Sequence, residues 1–546
     1  MEKKWWQKEI VYQIYPRSFQ DSNNDGIGDL QGIISRLDYL KDLGIDMIWM
    51  CPIFSSPQKD SGYDIKDYYC IDPIFGTMED LENLIAEAKK RDIYLMFDMV
   101  FNHTSTEHQW FKEALKGNQK YKNYYFFKKG KGDRLPTNWD SKFGGKAWKY
   151  VPEFDEYYLH LYDEGQADLN WENEEVRNEL IKIINFWLKK GIRGFRFDVI
   201  NNIDKRAFED CPEGIGKQFY CDQPKVHDYL HELNKHSFGK IKECITVGEM
   251  SATSVENCIG YTNPDNQELG MVFSFHHLKV DYFNKEKWTI MPFDFQELKE
   301  LLNTWQVKMQ DGNGWNALFW NCHDQPRSVS RFGNDQKYRK LSAKMLATTI
   351  HLMRGTPYIY QGEEIGMTNH YFTDIKQYQD VESINAYHIL KERGLDEKEI
   401  HKILQEKSRD NARTPMQWDN SINSGFSDVK PWLEVNENYH EINVEKDLQD
   451  NESIFKYYQK LIKLRKEYKI ISEGKYLPMM KDHPQIFAYK RILDDQELIV
   501  LNNFYDQEVS LDLDLSDYQV LINNYDDICS HCLKPYQSIA IIKTTS

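Results

Sequence analysis

The chain has 546 residues, enough for two or three domains with a sizeable core. Its 69 basic and 86 acidic residues give a formal net charge of −17. Such an acidic surface repels nucleic acid and anionic lipid, so neither a nucleic acid nor a membrane is an expected partner.

The N-terminal segment and the cysteines favour a cytoplasmic protein. Residues Met1–Glu9 lack the apolar core of a signal peptide, and no later stretch approaches a membrane-spanning length. Nine cysteines, odd in number and scattered, predict reduced thiols rather than a disulfide framework. Cys529 and Cys532 have redox or zinc spacing but lack the second pair that a zinc site needs. We expect a cytoplasmic monomer.

The first predicted strand, Ile10–Tyr15, leads into a loop whose side chains alternate as calcium ligands do, with a glycine at the bend. Gly32 stands at the twelfth position, where an EF-hand has a bidentate glutamate, so the loop is no EF-hand. A solvated acidic turn is the alternative. The candidate Ca²⁺ ligands are Asp21, Asn23, Asp25 and Asp29.

The second predicted strand, Ile45–Met50, ends near a loop with hydroxyl-binding and stacking groups. Asp60 can accept hydrogen bonds on both carboxylate oxygens, and Tyr63 offers an aromatic face. An ordinary polar surface loop is the alternative. A helix from about Glu79 to Lys90 then leads to a third strand.

From Thr104 to about Asn170 the periodicity fails, and lysines, glycines and aromatic residues alternate irregularly. A long irregular stretch after the third strand indicates an inserted subdomain. Regular patterns return with a predicted helix that begins after an Asn173 cap and ends at Gly191.

The stretch Gly191–Asn201 predicts a buried strand with a polar end. Side chains two apart share a face of a strand, so Arg196 and Asp198 point the same way. A purely structural ion pair is the alternative for these two. Two further predicted strands end in Glu249 and in His323 with Asp324. In a parallel barrel, catalytic groups lie at the C-terminal strand ends, so this pattern predicts an active-site face.

Four segments, Asp98–His103, Gly191–Asn201, Gly248–Met250 and the His323–Asp324 pair, resemble the four sequence blocks of the α-amylase family of glycoside hydrolases. The resemblance implies an α/β fold: a (β/α)8 TIM barrel, a subdomain inserted after the third strand, and a C-terminal antiparallel β-domain. The implied boundaries are 1–103 and 171–471 for the barrel, 104–170 for the insertion and 472–546 for the β-domain.

The resemblance also implies roles for individual residues. Asp198 matches the nucleophile of a retaining glycosidase, and Arg196 would keep it ionised. Glu249 matches the acid and base, and its neighbours suggest an apolar setting that can raise its pKa. Asp324 would bind the 2- and 3-hydroxyls of the sugar. Further implied sugar contacts are Asp60, Tyr63, His103, His323 and Arg409, and the carbonyl of Ile27 is an implied further Ca²⁺ ligand.

One position departs from the family pattern: Cys322 stands before His323 where asparagine is usual. On strand parity it faces away from the sugar, so we expect it to pack rather than to abolish activity.

The substrate is indicated by three features. Val199, after the nucleophile, resembles enzymes that act on α-1,6 or α,α-1,1 links, and Ala167 favours the trehalose-6-phosphate branch of the family. The segment Phe273–Tyr282 is similar to the version in that branch, where positive charge must hold a phosphate. A solvated basic turn is the alternative. The candidate phosphate contacts are Lys279, His276, His277 and Lys287.

These features imply an α-glucosidase that splits trehalose 6-phosphate into glucose and glucose 6-phosphate. The alternative is an oligo-1,6-glucosidase or dextran glucosidase, which would share every catalytic residue. Sugar isomerases that transfer a glucosyl unit, and a barrel that serves only as a binding subunit, are further alternatives. The intact carboxylates Asp198, Glu249 and Asp324 argue against the last.

Overall fold

The computed structural model describes residues 5–212, 214–513, 515 and 517–544. Eight short strands of one parallel sheet provide the framework for the site. They are β1 Val11–Ile14, β2 Met47–Met50, β3 Tyr94–Met99, β4 Gly194–Phe197, β5 Ile245–Met250, β6 Met271–Ser274, β7 Ala317–Leu318 and β8 Thr356–Tyr360.

The strand order of this sheet is β6-β5-β4-β3-β2-β1-β8-β7. Each strand therefore neighbours the strand before or after it in the chain, apart from β1 beside β8, which is the order of a (β/α)8 barrel. The registers align the site residues: Arg196 of β4 pairs with Asp98 of β3 on one side and Val247 of β5 on the other. The predicted TIM-barrel fold is confirmed.

Helices connect these strands, because parallel strands need long crossover connections, and further helices lie in the insertion and after β8. Their bounds are Leu30–Ser35, Leu37–Leu43, Met78–Lys90, Gln109–Leu115, Gln119–Lys122, Glu174–Lys190, Lys225–His236, Val255–Thr262, Phe295–Asp311, Ser328–Phe332, Arg339–His351, Val381–Glu392, Glu397–Lys407, Asp410–Arg413, Val444–Gln449, Ile454–Glu467 and Lys469–Glu473.

The helix before β4 shows how local signals set its ends. Asn173 accepts a hydrogen bond from the amide of Glu175 and so caps Glu174–Lys190. Gly191 ends the helix with φ of 111°, a left-handed conformation that glycine adopts without steric cost. Its buried face carries Val176, Leu180, Ile183, Ile184, Trp187 and Leu188, as the periodicity predicts.

The insertion after β3 is more regular than its sequence suggests. Its entry and exit, His103–Ser105 and Gln166–Asp168, pair as antiparallel strands. Between them lies a three-stranded antiparallel sheet around a core that includes the fully buried Trp139. Its strands, in sheet order, are Phe127–Lys128, Glu156–Leu159 and Trp148–Val151.

The C-terminal segment forms the antiparallel β-domain that was predicted. Long strands such as Ile486–Leu493 and Gln496–Asn503 pair over eight residues each. Apolar residues on one face build a separate core. In sheet order its strands are Lys475–Met479, Ile486–Leu493, Gln496–Asn503, Ser538–Thr544 and Gln519–Asn523, and Val509–Ser510 pairs with Cys532–Leu533.

The chain divides into two compact units, which are described separately. The first unit contains residues up to Ile48, Glu87–Ile93 and the chain from Phe275 onward. The second contains Trp49–Ala86 and Tyr94–Ser274. The domain boundaries from the sequence stay a prediction.

The prediction that the cysteines are all reduced is wrong at one pair. Cys529 and Cys532 form a disulfide, with Cα atoms 5.4 Å apart, because a three-residue separation in a tight loop brings the two sulfurs together. The other seven cysteines are free thiols. In the described part of the chain, every helix is too short or too polar to span a bilayer.

Candidate active site

In the second unit, one buried guanidinium holds three carboxylates. Arg196, 1% exposed, donates from Nη1 to Asp98 Oδ1 and to Asp198 Oδ1, each at 2.7 Å. Its Nη2 donates to Glu249 Oε2. Adjacent strands β3, β4 and β5 deliver these side chains to one place. The predicted pairing of Arg196 with Asp198 is present, and the structure adds Asp98 and Glu249 to it.

The electrostatics of this group follow from burial and from the shared cation. Burial raises the pKa of Asp98 to about 7, although the Arg196 charge opposes that rise. Burial works against the charge of Arg196, but its carboxylate neighbours, Asp98 foremost, hold the arginine pKa well above its ordinary value. The sequence analysis predicted apolar surroundings for Glu249. This prediction is wrong at one contact, because the guanidinium of Arg196 donates a hydrogen bond to the Glu249 carboxylate.

The backbone directly after Asp198, the predicted nucleophile, is strained. Val199 has φ of 38° and ψ of 39°, a left-handed conformation that β-branched residues rarely adopt. The amide of Asp198 donates to Met99 O at 3.0 Å, and Val199 is buried in an aromatic cluster that includes Tyr162. These contacts hold the turn that presents Asp198 at the end of β4.

Asn201 connects the end of β4 to the end of β5, and the sequence analysis missed it. Its Nδ2 donates to Ser251 O at 2.8 Å, and its Oδ1 accepts from Ser251 N at 2.9 Å. Ser251 follows Glu249 by two residues, so this pair of bonds fixes the chain just beyond the predicted acid. Asp222 Oδ1 supports the same amide group at 3.1 Å. The signal in the sequence was an asparagine three residues after Asp198, at the polar end of the predicted strand.

The predicted glucose-binding residues of the second unit lie close together. Tyr63 OH donates to Asp98 Oδ2 at 2.9 Å, and Tyr63 O lies 3.0 Å from His103 Nε2. Gln166 Nε2, from the exit of the insertion, donates to Asp60 Oδ2 at 3.1 Å and to Tyr63 O at 3.0 Å. Gln166 thus orients two of the predicted residues, a role that the sequence analysis did not assign. Burial lowers the pKa of His103 and favours the neutral ring.

In the first unit, Asp324 is surrounded by cations. Its Oδ1 accepts from Arg409 Nη1 and from Arg413 Nη2, each at 3.0 Å, and its Oδ2 lies 3.1 Å from His323 Nε2. Burial alone would raise the pKa of Asp324, but these neighbours, His323 first, hold it well below the usual range. Arg413, four residues after the predicted Arg409, is an addition from the structure.

Further hydrogen bonds hold Asp324, His323 and Arg409 in place. Gln13 Nε2 lies 2.8 Å from His323 Nδ1, which links β1 to the loop after β7. Arg409 also donates from Nη2 to the buried Asp380 at 2.5 Å. The buried Cys322 receives a hydrogen bond from the amide of Asp324, with Sγ at 3.4 Å. This buried position agrees with the packing role expected for Cys322.

The predicted phosphate contacts differ in their surroundings. Lys279 is exposed, directly after a short turn of helix at His276–Leu278. His277 Nε2 donates to Phe319 O at 2.9 Å. Lys287 forms an ion pair with Glu382 at 2.6 Å. Of these cations, Lys279 has the most solvent-accessible position.

In the loop Asp21–Asp29, the carboxylates of Asp21 and Asp29 accept hydrogen bonds from backbone amides. Asp21 accepts from the amides of Asn23, Asn24 and Gly26 at 2.8–3.0 Å. Asp29 caps the helix Leu30–Ser35. Within the described ranges no cluster of three or more His, Cys, Asp or Glu side chains could hold a metal ion. The all-oxygen donor set of Asp21, Asn23, Asp25, Ile27 and Asp29 nevertheless suits the chemistry of Ca²⁺.

Comparisons with known proteins match nearly the whole chain. Residues 13–474 match the family model for the α-amylase catalytic domain, and residues 486–539 match the model for the C-terminal domain of the α-amylase SusG. A trehalose-6-phosphate hydrolase of Bacillus subtilis is 55% identical over 98% of this chain and 97% of its own length. An oligo-1,6-glucosidase of Bacillus cereus is 49% identical over 99% of each chain.

Among solved structures, the trehalose-6-phosphate hydrolase of Bacillus licheniformis is similar with a TM-score of 0.95. The identity is 54%, and the match covers 100% of both chains. The family match covers far more than half of the chain, and both relatives match along nearly their whole length. The chain belongs to the α-amylase family of glycoside hydrolases.

Proposed function

We propose that the chain hydrolyses trehalose 6-phosphate to glucose and glucose 6-phosphate with retention of configuration. The observation that carries the proposal is its 55% identity, over almost the full length, to a protein named as a trehalose-6-phosphate hydrolase. Two of the three carboxylates on the Arg196 guanidinium, Asp198 and Glu249, would supply the nucleophile and the acid/base that a retaining glycosidase needs.

The proposed chemistry takes two steps. Asp198 attacks the anomeric carbon of the glucosyl unit while Glu249 gives its proton to the departing glycosidic oxygen, so a glucosyl ester forms and glucose 6-phosphate leaves. Glu249, now a carboxylate, takes a proton from water, and the water oxygen attacks the anomeric carbon as the bond from that carbon to the Asp198 oxygen breaks. Glucose leaves, Asp198 is regenerated, and Glu249 is protonated again. Asp324, held ionised by Arg409 and Arg413, would bind the sugar hydroxyls.

An oligo-1,6-glucosidase is the second candidate function. The 49% identity to the Bacillus cereus enzyme supports it, because both classes would use the same catalytic residues. The two functions differ only in the sugar beyond the bond that is cleaved.

Steady-state kinetics on three substrates separate these candidates. We expect kcat/KM for trehalose 6-phosphate to exceed those for trehalose and isomaltose by at least tenfold. A preference for isomaltose would favour the oligo-1,6-glucosidase function, and turnover of none of them would refute both.

Lys279 tests the predicted phosphate contact. If its ammonium contacts the phosphate, Lys279→Ala should lose about 1.5–3 kcal/mol of binding, or about ten- to hundredfold in kcat/KM on trehalose 6-phosphate. An aryl α-glucoside has no phosphate, so its hydrolysis should stay within about twofold. Lys285→Ala, which changes an exposed lysine six residues further along the chain, is the matched control. If kcat/KM falls equally on trehalose 6-phosphate and isomaltose, Lys279 is a general contact to the leaving sugar. If kcat/KM falls on neither, Lys279 does not contact the phosphate.

We also propose that residues 21–29 bind Ca²⁺ in a structural role, supported by their oxygen donors. Calorimetric titration of chelator-treated protein tests this, and Asp25→Ala should remove the binding heat.

A cytoplasmic monomer fits the seven free thiols, and light scattering of the purified protein checks the oligomeric state.

A further inference from the structure

The second unit contains a lysine whose surroundings the proposed chemistry does not use. Lys142 comes from the insertion, and its side chain is half-buried. Its Nζ donates to Ser251 Oγ at 2.9 Å and to Tyr162 OH at 3.1 Å. The Nζ also lies 5.1 Å and 5.5 Å from the ring centroids of Tyr162 and Tyr220. All four side chains belong to the same unit.

The position of Lys142 relates it to the reaction. Ser251 lies two residues beyond Glu249, the proposed acid that protonates the leaving oxygen. The Asn201 amide holds the Ser251 backbone in place. On its other side, Lys142 contacts Tyr162, whose ring lies 5.3 Å from the ring of His103, a predicted glucose contact. Lys142 therefore stands between residues of the glucose subsite and the chain that follows the acid.

The charge of Lys142 has no carboxylate partner among the residues that the structure describes. The two bonds of its ammonium go to neutral hydroxyl oxygens, and a lysine has three N–H donors, so one is available to a ligand. Burying a cation is costly, and the two tyrosine rings compensate this cost only in part, so an anion at this place would be favoured. Glucose 6-phosphate carries close to two negative charges at neutral pH.

We propose that Lys142 is a specificity-determining residue whose ammonium binds the phosphate of the leaving sugar. This inference rests on the proposed hydrolysis of trehalose 6-phosphate. It assigns to the anionic substrate a cation that lies within the second unit.

The pKa of Lys142 supports a testable pH dependence. Burial lowers it to about 8. Cys221 and Asp168 act to raise it and Lys217 and Lys205 to lower it, while Tyr162 and Tyr220 face it with their rings. Above this pH the free enzyme loses the positive charge. The ratio of kcat/KM on trehalose 6-phosphate to that on an aryl α-glucoside should then fall in the wild type.

The experiment compares Lys142→Met, which keeps the length and removes the charge, with Lys142→Arg, which keeps the charge. Lys146→Met is the matched control, an exposed lysine of the same loop paired with Asp140. We expect Lys142→Met to lower the kcat/KM ratio of trehalose 6-phosphate to aryl glucoside at least tenfold and to abolish its fall above pH 8. Lys142→Arg and Lys146→Met should keep the ratio within about threefold of the wild type.

Inhibition separates this inference from the proposed function. Glucose 6-phosphate and glucose are each titrated against hydrolysis of the aryl glucoside, which needs no turnover of trehalose 6-phosphate. Lys142→Met should raise the inhibition constant of glucose 6-phosphate at least tenfold and leave that of glucose within twofold, even if the wild type fails to hydrolyse trehalose 6-phosphate. Equal changes for both inhibitors, or none, would overturn the role of Lys142. If Lys142→Met does not fold, Lys142→Gln takes its place in the same comparison.

Discussion

Arg196 organises the site at the scale of single residues. Three carboxylates brought together from water would repel one another, and burial would drive protons onto them. One guanidinium that contacts all three compensates part of this cost, because it offers donors in several directions. Asp98 has no role in the proposed chemistry, and its hydrogen bonds make it a structural partner of Arg196 and Tyr63.

Replacing Asp198 tests its proposed role as the nucleophile. Asp198→Asn keeps the shape of the side chain but cannot form a glucosyl ester, so we expect kcat to fall by at least about a thousandfold. Thermal unfolding should show a folded protein, since Arg196 keeps its contacts with Asp98 and Glu249. Glucosyl transfer at a near wild-type rate in the purified variant would remove Asp198 from this role.

The proposed role of Glu249 as the acid is tested by comparing substrates with poor and good leaving groups. Glu249→Gln cannot protonate the departing oxygen, so trehalose 6-phosphate should lose about a hundred- to ten-thousandfold in kcat. Formation of the glucosyl ester from an aryl glucoside with a good leaving group needs little protonation, and its burst phase should fall much less. Similar losses for both substrates would contradict the assignment.

At the scale of elements, strand ends and loops place these residues, and this explains what the sequence could predict. The helix Glu174–Lys190 was predictable with its ends, because a cap, a periodic apolar face and a glycine are local signals. The carboxylates at strand ends were predictable from position and from the family resemblance. Contacts between distant residues were not: Arg413 meets Asp324 across 89 residues, and Gln166 meets Asp60 across 106. The strands of the insertion carry no clear period of two, so tertiary pairing alone reveals them.

Glu363 joins three elements of the first unit. It follows β8, and its buried carboxylate accepts from Asn321, beyond β7, at 2.6 Å. It also accepts from Tyr458 of the helix Ile454–Glu467 at 2.7 Å. Burial raises its pKa to about 7 in spite of these bonds. The carboxyl therefore connects the last two barrel strands to the helix that packs behind them.

This raised pKa predicts a pH-dependent stability. The unfolded chain ionises Glu363 near pH 4.5, whereas the folded protein keeps the proton up to about pH 7. The stabilisation is therefore complete below pH 4.5 and is lost as the pH rises through 7, by about 3 kcal/mol in total. Glu363→Gln cannot ionise, so its free energy of unfolding, relative to wild type, should rise between pH 5 and 7.

Denaturant unfolding of both proteins at several pH values measures this difference. Glu467→Gln, which removes an exposed charge from the helix Ile454–Glu467, serves as the control. A constant difference between Glu363→Gln and wild type across this range would show that Glu363 is ionised throughout in the folded protein.

At the scale of the whole molecule, a chain with a net charge of −17 is proposed to act on an anionic sugar. The overall field opposes the approach of such a substrate, so local cations must supply the attraction. Lys279 in the first unit and Lys142 in the second are the candidates, and each makes its own prediction. The barrel and the retaining chemistry would be common to relatives that act on uncharged sugars, and these cations would provide the preference for a phosphate.

The most direct test follows the reaction of wild-type protein with trehalose 6-phosphate by proton NMR at early times. The account predicts that the substrate disappears, that glucose 6-phosphate and glucose form in equal amounts, and that the glucose appears first as the α-anomer before it mutarotates. Glucose released first as the β-anomer would contradict retention. Intact trehalose 6-phosphate in the presence of protein that cleaves isomaltose would contradict the proposed substrate.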